Sequence, residues 1–392
     1  MAYCRTIFNN FCSKSVGMMI NLYPNCFFMR LLKFSVCVCA LLTVHMLSAQ
    51  NQVVYRDASE FPFYGRIHNE ADNVYGRLPL AFEEVSRTPV WRLGCNSAGI
   101  AVRFRTNSTS IHVKWESLFG VVMNHMAPTG IRGLDLYALE DGCWRFVNSA
   151  RPAKENFTEY RMISNMTSEY REFILYLSLY DGVKSLEIGG DEGAVFTAPE
   201  INSPRREKPL VFYGSSILQG GCVTRPGMAF TSIISRELDR EVFNLGFSGN
   251  AMLDMEIAEY MTEVKDPGVF VLDYVPNCTA EMIDADAEKF FRIIRDAHPE
   301  VPVIFVELPY YPSKDFDRKR FEESRNRNAA QRRLYEKLKK EGERKLLYIE
   351  SDRLLDGCKD ATVDGVHYTD IGSVIHAETI MPVIRKALKM NK

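Results

Sequence analysis

The sequence predicts an α/β protein in which a parallel-sheet domain over residues 201–392 follows an antiparallel, jelly-roll-like β-sandwich over residues 50–200. Three observations support this prediction. Short segments with alternating apolar and polar residues fill the first half, as in half-buried antiparallel strands. Continuous apolar strands alternate with amphipathic helices in the second half, which is typical of a parallel sheet covered on both faces. Between the halves, residues 197–209 contain three prolines and many charges, which predicts a linker.

The first half is predicted to be all β because three of its segments read as two strands around a short turn. Residues 99–117 alternate on both sides of "TNSTS", and residues 133–150 and 171–190 do so around "EDG" and "YDG". We therefore expect three hairpins packed as an antiparallel sandwich, with no long helix among them.

The second half is predicted to contain five strands, each followed by a helix. Its strands are short apolar runs and its helices carry apolar residues at helical spacing. The predicted strands are 210–214, 241–249, 268–275, 301–308 and 345–351, and the predicted helices are 227–240, 251–264, 280–298, 314–345 and 370–388.

Residues 1–49 are predicted to be a secretory signal peptide that is not part of the fold. Arg30 and Lys33 precede an apolar run that ends in Leu-Ser-Ala, the pattern of a cleaved signal. Met29 is the expected translation start. We therefore expect export to the periplasm or the extracellular space and no membrane insertion after the signal is removed; an uncleaved N-terminal anchor is the alternative.

Composition narrows the function classes. A formal net charge of -2 over 392 residues argues against a nucleic-acid partner. The most basic segment, 314–345, is laced with acidic residues and is expected to be a solvated helix face. Five cysteines remain after residue 49, with no C-x-x-C pair, so we expect neither a disulfide framework nor a zinc site, and no cofactor. A disulfide between Cys222 and Cys278 stays open, because geometry decides it.

Residues suited to acyl transfer stand where the predicted strands end. In a parallel sheet such residues meet at one edge, beyond the carboxyl ends of the strands. They are Ser215 and Ser216 after the first strand, the glycine turn Gly246–Asn250 after the second, Asn277 after the third, and Asp364 and His367 after the last.

These residue types match the needs of nucleophilic catalysis. A serine hydroxyl is a poor nucleophile unless an imidazole takes its proton, and the imidazole needs an acceptor on its other nitrogen. In Asp-x-x-His, one turn can bring Asp364 beside His367. The oxyanion of the tetrahedral intermediate needs fixed donors, which a glycine N–H and the Asn277 amide can supply. Each residue alone also has a structural explanation as a turn or cap residue.

These motifs resemble those of the SGNH, or GDSL-type, esterases and lipases. "GSSILQG" resembles the first block of the family, "NLGFSG" the second, "PN" the third and "DGVH" the fifth. The match spans about 209–385. Upstream, "GLDLY" at 133–137 resembles the signature of the β domain of the GxDLY-type members.

The resemblance implies a flavodoxin-like, three-layer α/β/α hydrolase domain and assigns the site residues. Ser216 is the nucleophile, His367 the base and Asp364 its orienting acid; the oxyanion donors are Ser216, Gly249 and Asn277. Most members have Asp where this chain has Ser215, so Ser215 stays open as an alternative nucleophile. The third block keeps only its Asn.

The predicted function is a serine esterase that removes a short acyl group, such as acetyl, from a carbohydrate. Glu307, at the end of the fourth predicted strand, is expected either to contact a polar substrate or to be structural. The alternatives are a lipase, a thioesterase or an acyltransferase using the same serine, and a non-catalytic carbohydrate-binding protein on the same scaffold.

Overall fold

The computed structural model describes residues 52–355 and 357–391, so the predicted signal peptide lies outside the described residues. The described part of the first half, residues 52–200, contains ten strands and three short α-helices. The strands are β1 (Val53–Asp57), β2 (Phe63–Tyr64), β3 (Ala101–Thr106), β4 (Ile111–Ser117), β5 (Leu134–Glu140), β6 (Cys143–Ala150), β7 (Phe157–Ile163), β8 (Arg171–Tyr176), β9 (Val183–Asp191) and β10 (Phe196–Thr197). The helices are α1 (Phe82–Val85), α2 (Thr88–Gly94) and α3 (Pro128–Arg132).

Two antiparallel sheets share one hydrophobic cluster in this half. One sheet has the order β1-β9-β4-β7, and the other has β10-β3-β8-β5-β6 with β2 paired to β3. Phe104 and Phe173 from the second sheet lie in the same cluster as Val113, Trp115 and Ile188 from the first. The alternating pattern thus identified the inward residues, and each fully buried large side chain contributes roughly 1.5–3 kcal/mol.

Two of the three predicted hairpins are wrong. β5 and β6 do pair directly, as predicted for 133–150. However, β3 pairs with β8 whereas β4 pairs with β7 and β9, so the strands of 99–117 lie in different sheets. The same holds for β8 and β9 in 171–190. The alternation of apolar and polar residues shows which side of a strand is buried. It does not show whether the next strand pairs with that strand or crosses to the other sheet, because each strand buries one side in both cases.

Among its described residues, the second half contains five strands and six α-helices, and every strand and helix predicted for it is present. The strands are β11 (Arg205–Gly214), β12 (Arg240–Gly246), β13 (Val269–Asp273), β14 (Val303–Val306) and β15 (Leu346–Ile349). The helices are α4 (Ser216–Gln219), α5 (Phe230–Leu238), α6 (Met255–Met261), α7 (Ala280–Ala297), α8 (Arg318–Lys340) and α9 (Asp370–Met390).

The five strands form one parallel sheet in the order β12-β11-β13-β14-β15. The first strand of the domain, β11, therefore lies between the second and the third. This is the flavodoxin-like order: β12 is added on one side of β11 and β13 on the other, so β11 and its neighbour form the topological switch point. The prediction of an α/β domain behind an antiparallel β domain is confirmed, and the switch point fixes where a ligand crevice opens.

The helices cover the sheet with one apolar face each. In α7, Thr279 caps the first turn by accepting the N–H of Met282 at 3.3 Å, and Phe290 and Ile294 are fully buried. In the charged helix α8, Leu334 and Leu338 are buried while Arg333 pairs with Asp284 of α7. No helix within the described residues is long and apolar enough to cross a membrane.

The two halves are joined by direct contacts as well as by the chain. Leu78 and Val90 of the first half lie in the hydrophobic cluster of the second. β11 begins at Arg205, so only residues 198–204 of the predicted linker lie outside strands.

Candidate active site

The register of the sheet brings the ends of three neighbouring strands level. Gly214, the last residue of β11, pairs with Gly246 on β12 and with Asp273 on β13. A Cβ atom at position 214 would lie 2.5 Å from the carbonyl oxygen of Asp273, so only glycine fits this approach. Ser216, the turn after Gly246 and Asn277 therefore all leave the sheet at the same edge.

The structure distinguishes the two serines after β11. Ser215 is the N-cap of α4, and its Oγ accepts the N–H of Ile217 at 3.3 Å. Its side chain is fully buried. Ser216 occupies the first position of the helix, and its hydroxyl faces His367. Ser215, the residue that departs from the family motif, therefore serves as the cap of the helix. This geometry favours Ser216 as the nucleophile.

Ser216, His367 and Asp364 form one hydrogen-bonded chain. Nε2 of His367 lies 2.9 Å from Oγ of Ser216, and Nδ1 lies 2.7 Å from Oδ2 of Asp364. Because the carboxylate only accepts, Nδ1 carries the proton and Nε2 presents its lone pair to the serine hydroxyl. This is the tautomer that a general base needs.

A tight loop holds the acid and the base together. Gly365 has φ +85°, and the N–H of Val363 donates to the carbonyl of His367 at 2.8 Å. Oδ1 of Asp364 accepts the backbone N–H groups of Val366 and His367 at 3.0 and 2.8 Å. Partial burial raises the pKa of Asp364, but the hydrogen bonds from the His367 imidazole and from these N–H groups outweigh it and lower the pKa to about 2. Asp364 is therefore ionised at neutral pH.

Three donors at this edge have no hydrogen-bond partner among the described residues. They are the N–H groups of Ser216 and Gly249 and the amide NH₂ of Asn277. Gly249 has φ +68°, and a Cβ there would contact nothing, so the backbone conformation rather than space requires glycine. Oδ1 of Asn277 accepts the N–H of Ala251 at 3.2 Å, which leaves its NH₂ as the free donor. Free donors of this kind suit an oxyanion.

Gln219 and Tyr180 tie the serine helix to the glycine turn, and the sequence analysis assigned no role to either. Oε1 of Gln219 accepts the N–H of Ser248 at 3.0 Å, while its Nε2 donates to Asn96 and to the carbonyl of Leu179. The Tyr180 hydroxyl donates to the carbonyl of Ser216 at 3.2 Å. Gln219 belongs to the quoted "GSSILQG" block, which was a usable signal, whereas Tyr180 was interpreted only as a turn residue.

Arg77 reaches the site's supporting strand from the first half of the chain. It is 1% exposed, and its Nη1 donates to the carbonyls of Asn244 and Gly246 at the end of β12. Burial lowers its pKa to about 9. The sequence offered no signal for this contact, because it joins segments 167 and 169 residues apart.

Glu307 is held by protein groups on both oxygens. Oε1 accepts hydrogen bonds from Arg332 at 2.7 Å and Tyr348 at 2.6 Å, and Oε2 accepts the N–H of Ser351 at 2.8 Å. Its side chain is 1% exposed. Of the two roles considered for Glu307, this geometry favours the structural one over substrate contact.

A groove of about 360 Å³ opens beside the glycine turn. Ser248 and Asn250 form one side. Helix α2 and the loop after β4, both in the first half, form the other side, where the apolar residues Pro89, Leu93, Phe119, Val121 and Met123 lie beside Arg92, Asn96 and Tyr180. The β domain thus lines the space next to the free donors.

Two further side chains lie close to His367. The ring of His125, on the loop between β4 and α3, has its centroid 5.7 Å from that of His367. Cys222, which follows α4, is buried, and burial together with the charge of Asp364 raises the pKa of its thiol to about 12. Cys222 is a free cysteine, as is Cys278, so the disulfide left open between them is not formed.

Comparison with known proteins identifies the family. The model of the GDSL-like lipase/acylhydrolase family matches residues 207–385, and the model for the N-terminus of SGNH-hydrolase-type esterases, the GxDLY domain, matches residues 53–196. A crystal structure from Bacteroides ovatus, described as a GDSL-like lipase, is 33% identical with a TM-score of 0.82, covering 86% of this chain and 98% of its own. The chain belongs to the GDSL-like lipase/acylhydrolase family. This GDSL-like protein is a hydrolase of carboxylic esters with a GxDLY-type N-terminal domain.

More distant structures share the fold of this GDSL-like hydrolase. A salicylyl-acyltransferase from a tetracycline biosynthetic pathway is 15% identical with a TM-score of 0.69, covering 85% of this chain and 96% of its own. A family two carbohydrate esterase from Cellvibrio japonicus is 12% identical with a TM-score of 0.55, covering 87% and 99%. No curated protein sequence matches the chain.

Proposed function

We propose that the protein is a serine esterase that removes a short acyl group, such as acetyl, from a carbohydrate through an acyl-enzyme on Ser216. The observation that carries the proposal is the chain Asp364–His367–Ser216 beside three unpaired donors. These groups are the nucleophile, base, orienting acid and oxyanion donors of acyl transfer.

The reaction proceeds in two halves. Ser216 Oγ attacks the ester carbonyl while Nε2 of His367 takes the hydroxyl proton, and Asp364 stabilises the imidazolium. The oxyanion accepts hydrogen bonds from the N–H groups of Ser216 and Gly249 and from the Asn277 amide. The intermediate collapses, the C–O bond to the alcohol breaks, and His367 gives the proton to the leaving oxygen. Water, deprotonated by His367, then attacks the acyl-enzyme and releases the acid and Ser216.

The carbohydrate part of the proposal is supported by the two-part architecture. The family two carbohydrate esterase from Cellvibrio japonicus aligns over 99% of its length with both halves of this chain. The first half also lines the groove beside the glycine turn, where it can contact the bulk of a substrate.

A second candidate, an esterase or acyltransferase for larger acyl groups, is favoured by the apolar wall of the same groove. Phe119, Val121 and Met123 can bury an alkyl or aryl group. A non-catalytic carbohydrate-binding role is disfavoured, because the His367 imidazole is within hydrogen-bonding distance of both the Ser216 hydroxyl and the Asp364 carboxylate.

A panel of esters tests the proposal. We expect the purified protein to hydrolyse p-nitrophenyl acetate and acetylated oligosaccharides, with kcat/KM falling as the acyl chain grows, and Ser216→Ala to be inactive on both. A rate that rises with chain length supports the second candidate. Transfer of the acyl group to an added alcohol in preference to water supports the acyltransferase.

We also propose that the protein is exported, from the pattern Arg30, Lys33 and the apolar run that follows. N-terminal sequencing of protein recovered from the producing cell should find a chain that begins within a few residues of Gln50. A chain that still begins at Met1 contradicts this.

A further inference from the structure

Three side chains that ligate transition metals meet at the mouth of the active site. They are His125 from the β domain, Cys222 from the turn after α4, and His367. One ligand atom from each lies within 4.8 Å of the other two. In tetrahedral zinc sites, bond lengths of about 2.0–2.3 Å place ligand atoms roughly 3.3–3.6 Å apart, so shifts of about an ångström assemble the site.

Both histidines keep a lone pair on Nε2 that a metal ion can use. Nδ1 of His125 lies 3.0 Å from Oδ1 of Asn124, which can only accept, so Nδ1 carries the proton and Nε2 has the lone pair. Nδ1 of His367 donates to Asp364 in the same way. A carboxylate behind a ligating imidazole is the usual support of a zinc ligand.

Cys222 supplies the third ligand and is tethered beside the second. Its N–H donates to the carbonyl of Tyr368 at 3.3 Å, which holds Cys222 next to His367 in space. Two imidazoles and a thiolate select Zn²⁺ over Mg²⁺ and Ca²⁺, which prefer oxygen ligands.

We propose that Zn²⁺ binds Nε2 of His125, Sγ of Cys222 and Nε2 of His367, with water in the fourth position, and inhibits the esterase reversibly. Binding breaks the S–H bond, so that Cys–SH and Zn²⁺ give a Zn–thiolate and release H⁺. The metal occupies the lone pair with which His367 takes the proton of Ser216. The inhibition rests on the proposed function, whereas the binding does not.

Binding is tested directly with Co²⁺ as a spectroscopic probe on the full mature chain. We expect a thiolate-to-Co²⁺ charge-transfer band that Zn²⁺ displaces and excess Mg²⁺ does not. Cys222→Ala should abolish the band, and His125→Ala should weaken Co²⁺ affinity by at least about tenfold. Cys143→Ala, which removes an exposed cysteine elsewhere, is the matched control and should behave as the wild type. His125 is only partly buried and lies on a loop, so His125→Ala gives an answer even if Cys222→Ala does not fold.

Inhibition is tested on p-nitrophenyl acetate hydrolysis in metal-buffered solution. We expect Zn²⁺ to inhibit the wild type and Cys143→Ala, a chelator to restore the rate, and His125→Ala and Cys222→Ala to keep basal activity with Zn²⁺ sensitivity reduced at least about tenfold. Equal sensitivity of these variants and the wild type, or a wild type without the Co²⁺ band, overturns the proposal. A Co²⁺ band in a protein without esterase activity leaves the metal site standing and contradicts the proposed function alone.

Discussion

Nε2 of His367 lies 2.9 Å from Oγ of Ser216, although 151 residues separate the two along the chain. Two local structures at one edge of the sheet create this contact: the turn that begins α4 and the loop that Asp364 closes onto the N–H of His367. Because the side chains of Ser215 and Asp364 accept backbone N–H groups in these two structures, Ser216 and His367 are held in place before substrate arrives.

The two serines should differ sharply when each is replaced. Ser216→Ala removes the hydroxyl that is hydrogen-bonded to Nε2 of His367, so kcat should fall by several orders of magnitude. Ser215→Ala should keep the nucleophile and lose the helix cap, at about 1 kcal/mol of stability. A fluorophosphonate followed by peptide mapping should label Ser216. A label on Ser215, or full activity in Ser216→Ala, contradicts the assignment.

Asp364→Asn should lower kcat strongly and leave the protein folded. The amide can present its NH₂ to Nδ1 of His367, which favours the wrong tautomer at Nε2. Hydrogen bonds hold the pKa of Asp364 near 2, so in the wild type this residue stays ionised throughout the range in which the enzyme is assayed. Asp364 should therefore contribute no protonation to the acidic limb of the kcat/KM profile above about pH 4. An acidic protonation in that range that is present in the wild type and absent from Asp364→Asn would contradict this description.

Asn277→Ala should cost about 10²–10³ in kcat with little change in KM, because the oxyanion forms only as the ester is attacked. Steady-state kinetics on p-nitrophenyl acetate measures both parameters. Asn202→Ala, which removes an exposed amide that donates to Glu207 from the segment between β10 and β11, is the control and should match the wild type. A rise in KM with an unchanged kcat would assign Asn277 to ground-state binding instead.

Gln219→Leu should reduce kcat without removing any reacting group. The side chain holds the N–H of Ser248, next to Gly249, and it also binds Asn96 and Leu179 of the first half. Its loss leaves these groups without their hydrogen-bond partner, which should lower the free energy of unfolding by about 1–3 kcal/mol. Gln219→Glu keeps the acceptor for Ser248 and should recover part of kcat. If both variants lose stability but keep the wild-type kcat, Gln219 supports the fold and not the glycine turn.

Asp273→Asn should change how stability depends on pH. Asp273 is 2% exposed, its Oδ2 has no partner among the described residues, and burial raises its pKa well above the usual range. The folded protein therefore keeps a proton that the unfolded chain loses above about pH 4. Wild-type stability should fall as pH rises from there towards the raised pKa, by up to about 1.4 kcal/mol per pH unit.

Chemical denaturation of the wild type and Asp273→Asn across this range isolates the effect, since all other groups titrate in both proteins. The free energy of unfolding of the wild type minus that of Asp273→Asn should decrease as pH rises. A difference that does not vary with pH would show that Asp273 titrates alike in the folded and unfolded states.

Much of the fold and the site was predictable, because short-range patterns of apolar, polar and turn-forming residues determine it. The apolar strands and amphipathic helices of the second half lie where the sequence predicted them. Because the carboxyl ends of parallel strands meet at one edge of the sheet, Ser216, Gly249 and Asn277 were expected at the same edge, and they lie there. The strand pairing of the β domain was less predictable. β3 and β4 each bury one face, and the alternating pattern that shows this does not indicate which strand each one pairs with. The support from Arg77 and Tyr180 was not predictable either, because each side chain contacts a strand or turn far away in sequence.

The sequence by itself determined the chemistry: a hydroxyl on a strand-ending turn, an Asp-Gly-Val-His loop, and a glycine turn free to adopt positive φ. These are short-range properties, set by residue type and backbone preference. The tertiary structure alone decided which serine faces the imidazole. It also decided that the carboxylate of Glu307 accepts hydrogen bonds from Arg332, Tyr348 and Ser351. Finally, it brought His125 close to His367 from the other half of the chain. Those outcomes depend on distances between segments, which packing sets and local sequence does not encode.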